Sequence, residues 1–289
     1  MVLLRFRREL FVSIAVLSLL SSGCLVRRRV VAPQGQRVPK PLLSATKDEL
    51  VQKIHQVFDP VQSFTLKADM SPSIGSLYGG QVTDYPTITG YILFLKPDYI
   101  RVIGLDPVIH STGFDMASAG NEFRVSIPAK SQFFEGRNDA PAASKNKLEN
   151  LRPAAFLNAL LIRPPNAQTD ISFVEDDTNE TKAIYILMMI GHNGNEYFPI
   201  RNVYFDRYTL QINRQKTFDT GGNILSETRY SNWTQHNGVP FPSLIDIQRP
   251  KDGYEVVLKV TDLKVNAGDL MPEKFVLTQP PGSQLKRLQ

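Results

Sequence analysis

Thr87-Ile88-Thr89-Gly90-Tyr91-Ile92-Leu93-Phe94-Leu95, then Lys96-Pro97-Asp98, then Tyr99-Ile100-Arg101-Val102-Ile103-Gly104 reads as a β-hairpin. β-branched and aromatic residues fill both arms, and the Pro-Asp pair supplies the turn. The first arm sets Ile88, Ile92 and Phe94 on one face and Tyr91, Leu93 and Leu95 on the other. An antiparallel strand with one wet face alternates apolar with polar. Apolar residues on both faces mean that both are covered, or that one lines an apolar cavity. Ala183 to Ile190 (AIYILMMI) has the same character.

The pattern continues outward from this hairpin. Strands are expected at Phe64–Asp69, Ile109–Met116, Glu122–Pro128, Gln132–Glu135, Ile171–Val174, Ala183–Ile190 and Asn202–Phe205. Further ones are expected at Leu210–Phe218, Ile224–Trp233, Phe241–Gln248 and Tyr254–Val265. Turn signals separate them at Ala119-Gly120-Asn121, Gly221-Gly222-Asn223, Asn237-Gly238 and Lys251-Asp252-Gly253. Such spacing belongs to an antiparallel meander or barrel. Helices do not alternate with the strands, which argues against a parallel α/β sheet.

Two helical stretches stand out. Thr46-Lys47-Asp48-Glu49 has the capping-box pattern, followed by Leu50, Ile54, Val57 and Phe58 at helical spacing and a stop at Pro60. Leu148, Leu151, Ala155, Phe156, Ala159, Leu160 and Ile162 recur at three or four residues, with Pro153 suited to an early helical position and Arg163-Pro164-Pro165 ending the run.

The first 45 residues differ in kind. Arg5, Arg7 and Arg8 precede an apolar run of 11 residues, Leu10 to Leu20, too short for a membrane span and suited to a secretory signal, residues 1–23. Ser21-Ser22-Gly23 then leads to Cys24, the only cysteine of the chain. Small residues before a lone cysteine resemble the bacterial lipobox, with Leu20 one place earlier than usual. That resemblance implies acylation of Cys24, an extracytoplasmic location and attachment to a membrane through the N-terminus. Residues 24–45, with Arg27-Arg28-Arg29 and Pro33, Pro39 and Pro41, read as a basic tether. It is either solvated or laid against anionic headgroups.

The 289 residues carry a formal charge of +5 with 42% hydrophobic and 21% charged residues, the balance of a globular chain. Residues 1–23 account for +2 and residues 24–45 for +5, which leaves −2 for residues 46–289. A nucleic-acid-binding domain carries its own basic excess, so nucleic acid is not an expected partner. A single cysteine rules out an intramolecular disulfide and a multi-cysteine zinc site. His55, His110, His192 and His236 lie in different elements and form no close ligand pair. No nucleophile elbow, phosphate loop or zinc-protease motif occurs. Neither enzyme nor cofactor is indicated.

Several motifs, in order, resemble the LolA/LolB-like superfamily, the periplasmic lipoprotein carrier and its outer-membrane receptor. They are Gly90 to Arg101, Gly120-Asn121-Glu122-Phe123-Arg124-Val125 with Pro128, Leu151–Ile162 as a helix over the sheet, and Val265-Asn266. Phe275-Val276-Leu277 with Pro280-Pro281-Gly282 is similar to that family's closing strand and its end. The resemblance implies a mainly β (α+β) fold over residues 46–289: an incomplete, strongly curved antiparallel β-barrel with helices covering its concave face. An apolar cavity between helices and sheet would take acyl chains of lipoproteins or phospholipids. Candidate cavity residues are Tyr91, Leu93, Leu95, Ile100, Val102, Phe123, Val125, Phe156 and Leu160. In the carrier an arginine before the turn proline is implicated in holding the lid. Lys96 stands there in this chain and keeps the charge without the planar fork. The receptor's protruding membrane-inserting loop has a candidate in Ser73–Tyr78. An outer-membrane lipoprotein facing the periplasm is the expected setting. A non-catalytic scaffold with envelope protein partners is the other function compatible with this fold.

Overall fold

The structure is a computed structural model, and it describes residues 27–28, 41–76, 80–139, 152–179, 181–268 and 270–288. Cys24 and the rest of residues 1–26, and most of the tether, lie outside the described residues.

The capping box forms as expected. The Glu49 N–H donates to Thr46 Oγ1 at 3.3 Å, and the Thr46 N–H donates to Glu49 Oε2 at 2.7 Å. This starts α1 (Lys47–Phe58), whose apolar face buries Leu50 and Ile54 completely. The second helix, α2 (Pro153–Leu160), begins at Pro153, and six of its eight residues are buried. Residues 140–151, the start of the expected helical run, lie outside the described residues.

The strands are β1 (Arg27–Arg28), β2 (Ser63–Ser76), β3 (Gln81–Asp84), β4 (Ile88–Leu95), β5 (Tyr99–Leu105), β6 (Thr112–Ala119), β7 (Glu122–Ile127) and β8 (Gln132–Arg137). After α2 come β9 (Ile171–Thr178), β10 (Ala183–Asn193), β11 (Glu196–Asp206), β12 (Ile212–Phe218), β13 (Ile224–His236), β14 (Val239–Arg249), β15 (Tyr254–Val265) and β16 (Gln284–Arg287). They make one sheet in the order β16-β8-β7-β6-β5-β4-β2-β15-β14-β13-β12-β11-β10-β9, with β3 on β2 and β1 on β3. β16 and β9 are its two ends, so the barrel is incomplete. Every pair is antiparallel except β16 with β8.

The curvature follows from what α2 touches. It packs on β5 and β6 and also on β13 and β14. β6 and β13 are six places apart in the sheet, about 29 Å if it were flat. A helix about 10 Å across reaches both only because the sheet wraps around it. On this inner face Phe64 joins Phe94 and Phe241, with ring centroids 5.1 and 5.8 Å away, tying β2, β4 and β14 together. Gly90 and Gly104 oppose each other across β4 and β5. A Cβ would lie 2.2 Å from the Met70 side chain at Gly90 and 2.2 Å from the Phe114 ring at Gly104. The glycines make room for these larger neighbours.

The outer face of one half of the sheet is covered too. The C-terminal segment lies over β5–β8, with the Phe275 ring 5.6 Å from Tyr99 and Leu277 packed with Ala117 and Phe133. Three expectations are corrected here. Phe275-Val276-Leu277 is not a strand: Phe275 closes a 3₁₀ turn, and the last strand is β16, parallel to β8. Ile109 lies in a turn held by Asp106 Oδ1, which accepts from the Val108 and Ile109 N–H groups at 2.8 and 3.0 Å, so that strand begins at Thr112. Ile74 belongs to β2 and packs on the core, while residues 77–79 lie outside the described residues.

The outer face of β12–β15 is charged instead. Arg229 Nη2 meets Glu227 at 2.8 Å and its Nη1 meets Asp246 at 3.3 Å. Burial, and then Glu255 nearby, hold the Asp246 carboxyl above the ordinary carboxylate range.

Truncating Phe94, which has no exposed surface, to Ala is expected to lower unfolding stability by about 3–5 kcal/mol in urea, against about 1 kcal/mol for Leu93→Ala on the other face. A second expectation concerns pH. The folded state holds the Asp246 proton more tightly than the unfolded chain, so this group stabilises most in acid and loses that contribution as pH rises above about 4. Asp246→Asn is expected to flatten that fall between pH 4 and 8 in urea titrations.

Candidate functional site

The turn between β4 and β5 sits where both covering helices end. Lys96 Nζ donates to the carbonyls of Phe58 and Asp59 at 3.1 and 3.3 Å and stands 4.2 Å from the Phe58 ring centroid. These are the orphan carbonyls at the end of α1, and a cation there complements the helix dipole. Burial lowers the Lys96 pKa, with Asp59 opposing. Two residues on, Asp98 pairs with Arg163, which follows α2. Asn266 holds the residues after α1: its Oδ1 accepts from the Gln62 and Ser63 N–H groups at 2.8 and 3.1 Å, and its Nδ2 donates to the Pro60 carbonyl at 2.6 Å.

The end of α2 is held from the sheet. Gln215 Nε2 donates to the Asn158 carbonyl and Tyr230 Oη donates to the Ala159 carbonyl, both at 2.7 Å. Arg201 Nη1 donates to the Arg163 carbonyl at 2.9 Å. Desolvation brings the Arg201 pKa down to about 10 and drives that of Tyr230 up. These residues point inward from β11, β12 and β13, where alternation alone reads polar side chains as solvated. Sequence reasoning missed them for that reason.

Beside this clamp a pocket opens. Lys53, Gln56 and Val57 of α1 form one wall, Thr209 to Ile212 a second, and Trp233, Thr234, Gln235 and Pro240 a third, around a volume of about 300 Å³. A second, narrow space of about 10 Å³ is lined by Val61, Leu160 to Ile162, Tyr230 and Phe241. Val57, Trp233 and Pro240 border both, and so form a throat. The Trp233 indole N–H donates to the Ile212 carbonyl at 2.9 Å, which fixes one side of it. Trp233 is the only tryptophan of the chain, the one sequence feature that could have marked this place.

The nine candidate cavity residues do not share a face. Directly opposed residues of an antiparallel pair lie on the same side of the sheet. Phe94 opposes Ile100, Ile92 opposes Val102, Val102 opposes Met116 and Met116 opposes Val125. Ile100 opposes Ser118, which opposes Phe123. Ile100, Val102, Phe123, Val125, Phe156 and Leu160 therefore meet in the buried interior, each at most 6% exposed. Leu160 alone of the nine borders the narrow space beyond the throat. Tyr91, Leu93 and Leu95 are on the outer side, opposite Ile103, Arg101 and Tyr99, and are half-buried. Ile92 and Phe94 take the inner positions of that strand.

Among the described residues, no group of three or more His, Cys, Asp or Glu could hold a metal ion, and no helix is long and apolar enough to cross a membrane. His55 pairs with Asp59 and His236 with Thr234, both at 2.9 Å.

Solved structures share this architecture. A LolA superfamily protein from Nitrosomonas europaea matches with a TM-score of 0.51 at 15% identity, over 81% of this chain and 99% of the other. The fold is LolA-like. A DUF1329 family protein from Desulfovibrio piger matches with a TM-score of 0.53 at 18% identity, over 80% and 95% of the two chains. No protein-family model and no curated protein matches the chain. In this LolA-like sheet Lys96 does hold the α1 end, through two main-chain carbonyls.

Lys96→Met is expected to lower stability by about 1–2 kcal/mol in urea through loss of two charge-assisted hydrogen bonds, and Lys96→Arg to restore most of it.

Proposed function

We propose that this chain is a lipid-anchored protein of the bacterial envelope that takes up acyl chains of lipoproteins or lipids beneath its two helices, without covalent chemistry. Residues 24–45 serve as the tether and residues 46–289 as the binding domain. The observation that carries the reading is the throat: Val57, Trp233 and Pro240 line both an open pocket and a small space among buried apolar side chains.

The interior is closed in this state, so uptake requires the helices to shift. Burial of an acyl chain offers about 0.8 kcal/mol per methylene, on the order of 10 kcal/mol for a chain of about 14 carbons. The clamp consists of a handful of hydrogen bonds, each worth about 1 kcal/mol net. Displacing α1 also exposes Leu50 and Ile54, so the acyl chain must take over their apolar contacts as it enters, and its withdrawal restores them.

Two features support anchoring at one end of the sheet. The backbone of Arg27 and Arg28 pairs with Asp84 and Thr83 of β3, three residues beyond Cys24. Val108 and Ile109, at the β5–β6 turn of that same end, are 79% and 73% exposed. They suit a membrane-contacting tip. The pocket lies at the opposite end: Gln248 is level with Glu255, Ser73, Asp84 and Arg27 across the sheet, and Pro240 is eight residues away along β14, about 26 Å.

A second reading rests on the close packing itself. With core side chains at or near zero exposure and only about 10 Å³ beyond the throat, the same fold serves as a non-catalytic scaffold for envelope proteins.

Native mass spectrometry of the chain purified from bacterial envelopes separates the two. Mass excesses matching phospholipid or acylated peptide, lost in Val57→Arg and kept in Leu93→Gln, are the expected result. A clean mass with no uptake of added amphiphile would contradict acyl binding and leave the scaffold. The same spectra read the mass of the mature N-terminus and so test acylation of Cys24.

A further inference from the structure

The outer pocket has a chemistry different from the throat behind it. Gln56, Gln211, Gln235, Thr209 and Thr234 supply neutral donors and acceptors around its rim. Lys53 is the only charged residue of the lining, and among the described residues no carboxylate lies within ion-pair distance of it. Glu49, one turn earlier on α1 and the natural partner for a lysine four residues on, is turned back to close the capping box. Asp59, at the other end of the helix, pairs with His55. Asp206, ahead of the wall formed by Thr209 to Ile212, accepts from the Tyr208 N–H at 2.8 Å. Lys53 is thus a half-buried cation that no side chain among the described residues neutralises, set among neutral amides and hydroxyls.

We infer that this vestibule is a headgroup site for an amphiphile carrying one net negative charge, a phosphate or a carboxylate, whose acyl chain enters between Val57 and Trp233. The inference rests on the acyl-binding reading and adds selectivity to it. Lysine acts as a point charge that needs no fixed approach, so it favours either anion. The amides and hydroxyls serve glycerol-type hydroxyls, and the fixed Trp233 ring packs against the first methylenes. A volume of about 300 Å³ is at the small end of ligand pockets and takes a headgroup rather than a whole lipid. A zwitterionic headgroup gains less, because its own cation is brought beside Lys53.

The test uses the full chain in nanodiscs of zwitterionic phospholipid, equilibrated with equal amounts of lysophosphatidylglycerol and lysophosphatidylcholine and released for native mass spectrometry. The expected adduct ratio is about tenfold in favour of the anionic lipid at low salt, shrinking at high salt through screening. Lys53→Gln is expected to bring the ratio to about one, chiefly by weakening the anionic adduct. Palmitate as a third competitor tells carboxylate from phosphate. Equal adducts in the wild type, or a preference that survives Lys53→Gln, would overturn the headgroup site while leaving acyl binding in place. Absence of every adduct would overturn both.

Discussion

Both helices that cover the sheet end at one turn. Lys96 takes the last carbonyls of α1, and Asp98 takes Arg163 just beyond α2. That turn joins β4 to β5, the hairpin whose inner residues Ile92, Phe94, Ile100 and Val102 are fully buried. A fully buried part of the sheet therefore holds the ends of both helices. The clamp acts through hydrogen bonds at helix ends, while the apolar faces of the helices supply most of the burial energy. Such an arrangement lets the helices move as units, because each is held at points and rests elsewhere on non-directional contact.

Wrapping the sheet around α2 has a consequence for chemistry. Its inner face must satisfy the carbonyls at and just beyond the end of a buried helix, and it does so with Gln215 and Tyr230 in the last turn and Arg201 at Arg163. These side chains are inward-pointing polar groups in an interior that otherwise excludes water. An unsatisfied buried carbonyl costs about 1–3 kcal/mol, so the three act as a specification of where α2 must end. The open pocket lies beside this polar strip and leads on to Tyr230 and Leu160.

Much of the fold was legible in the sequence, and the reasons are local. Thr46 and Glu49 mark the start of α1, Pro97-Asp98 marks the hairpin turn, and alternation marks the long strands. β3 and β16 escaped because QVTD is only four residues long and QLKR is exposed throughout. Phe275 to Leu277 looked like a strand because covering an outer face demands the same apolar residues as pairing in a sheet. The face of Tyr91, Leu93 and Leu95 was not legible because both sides of β4 are apolar, and alternation fixes only which residues go together. Family resemblance drew attention to Lys96, but not to its two main-chain acceptors at the end of α1. The pocket was not, since its walls come from α1, the residues after β11 and the β13–β14 hairpin, which only the curvature of the sheet brings together.

The central claim is that α1 and α2 open as a lid over a sheet that stays folded. Native-state hydrogen exchange tests it most directly. The account predicts that amides of Leu50, Ile54 and Phe156 exchange through openings several kcal/mol cheaper than those of Ile92 and Val102. Exchange of all five at one free energy, equal to that of global unfolding, would contradict it.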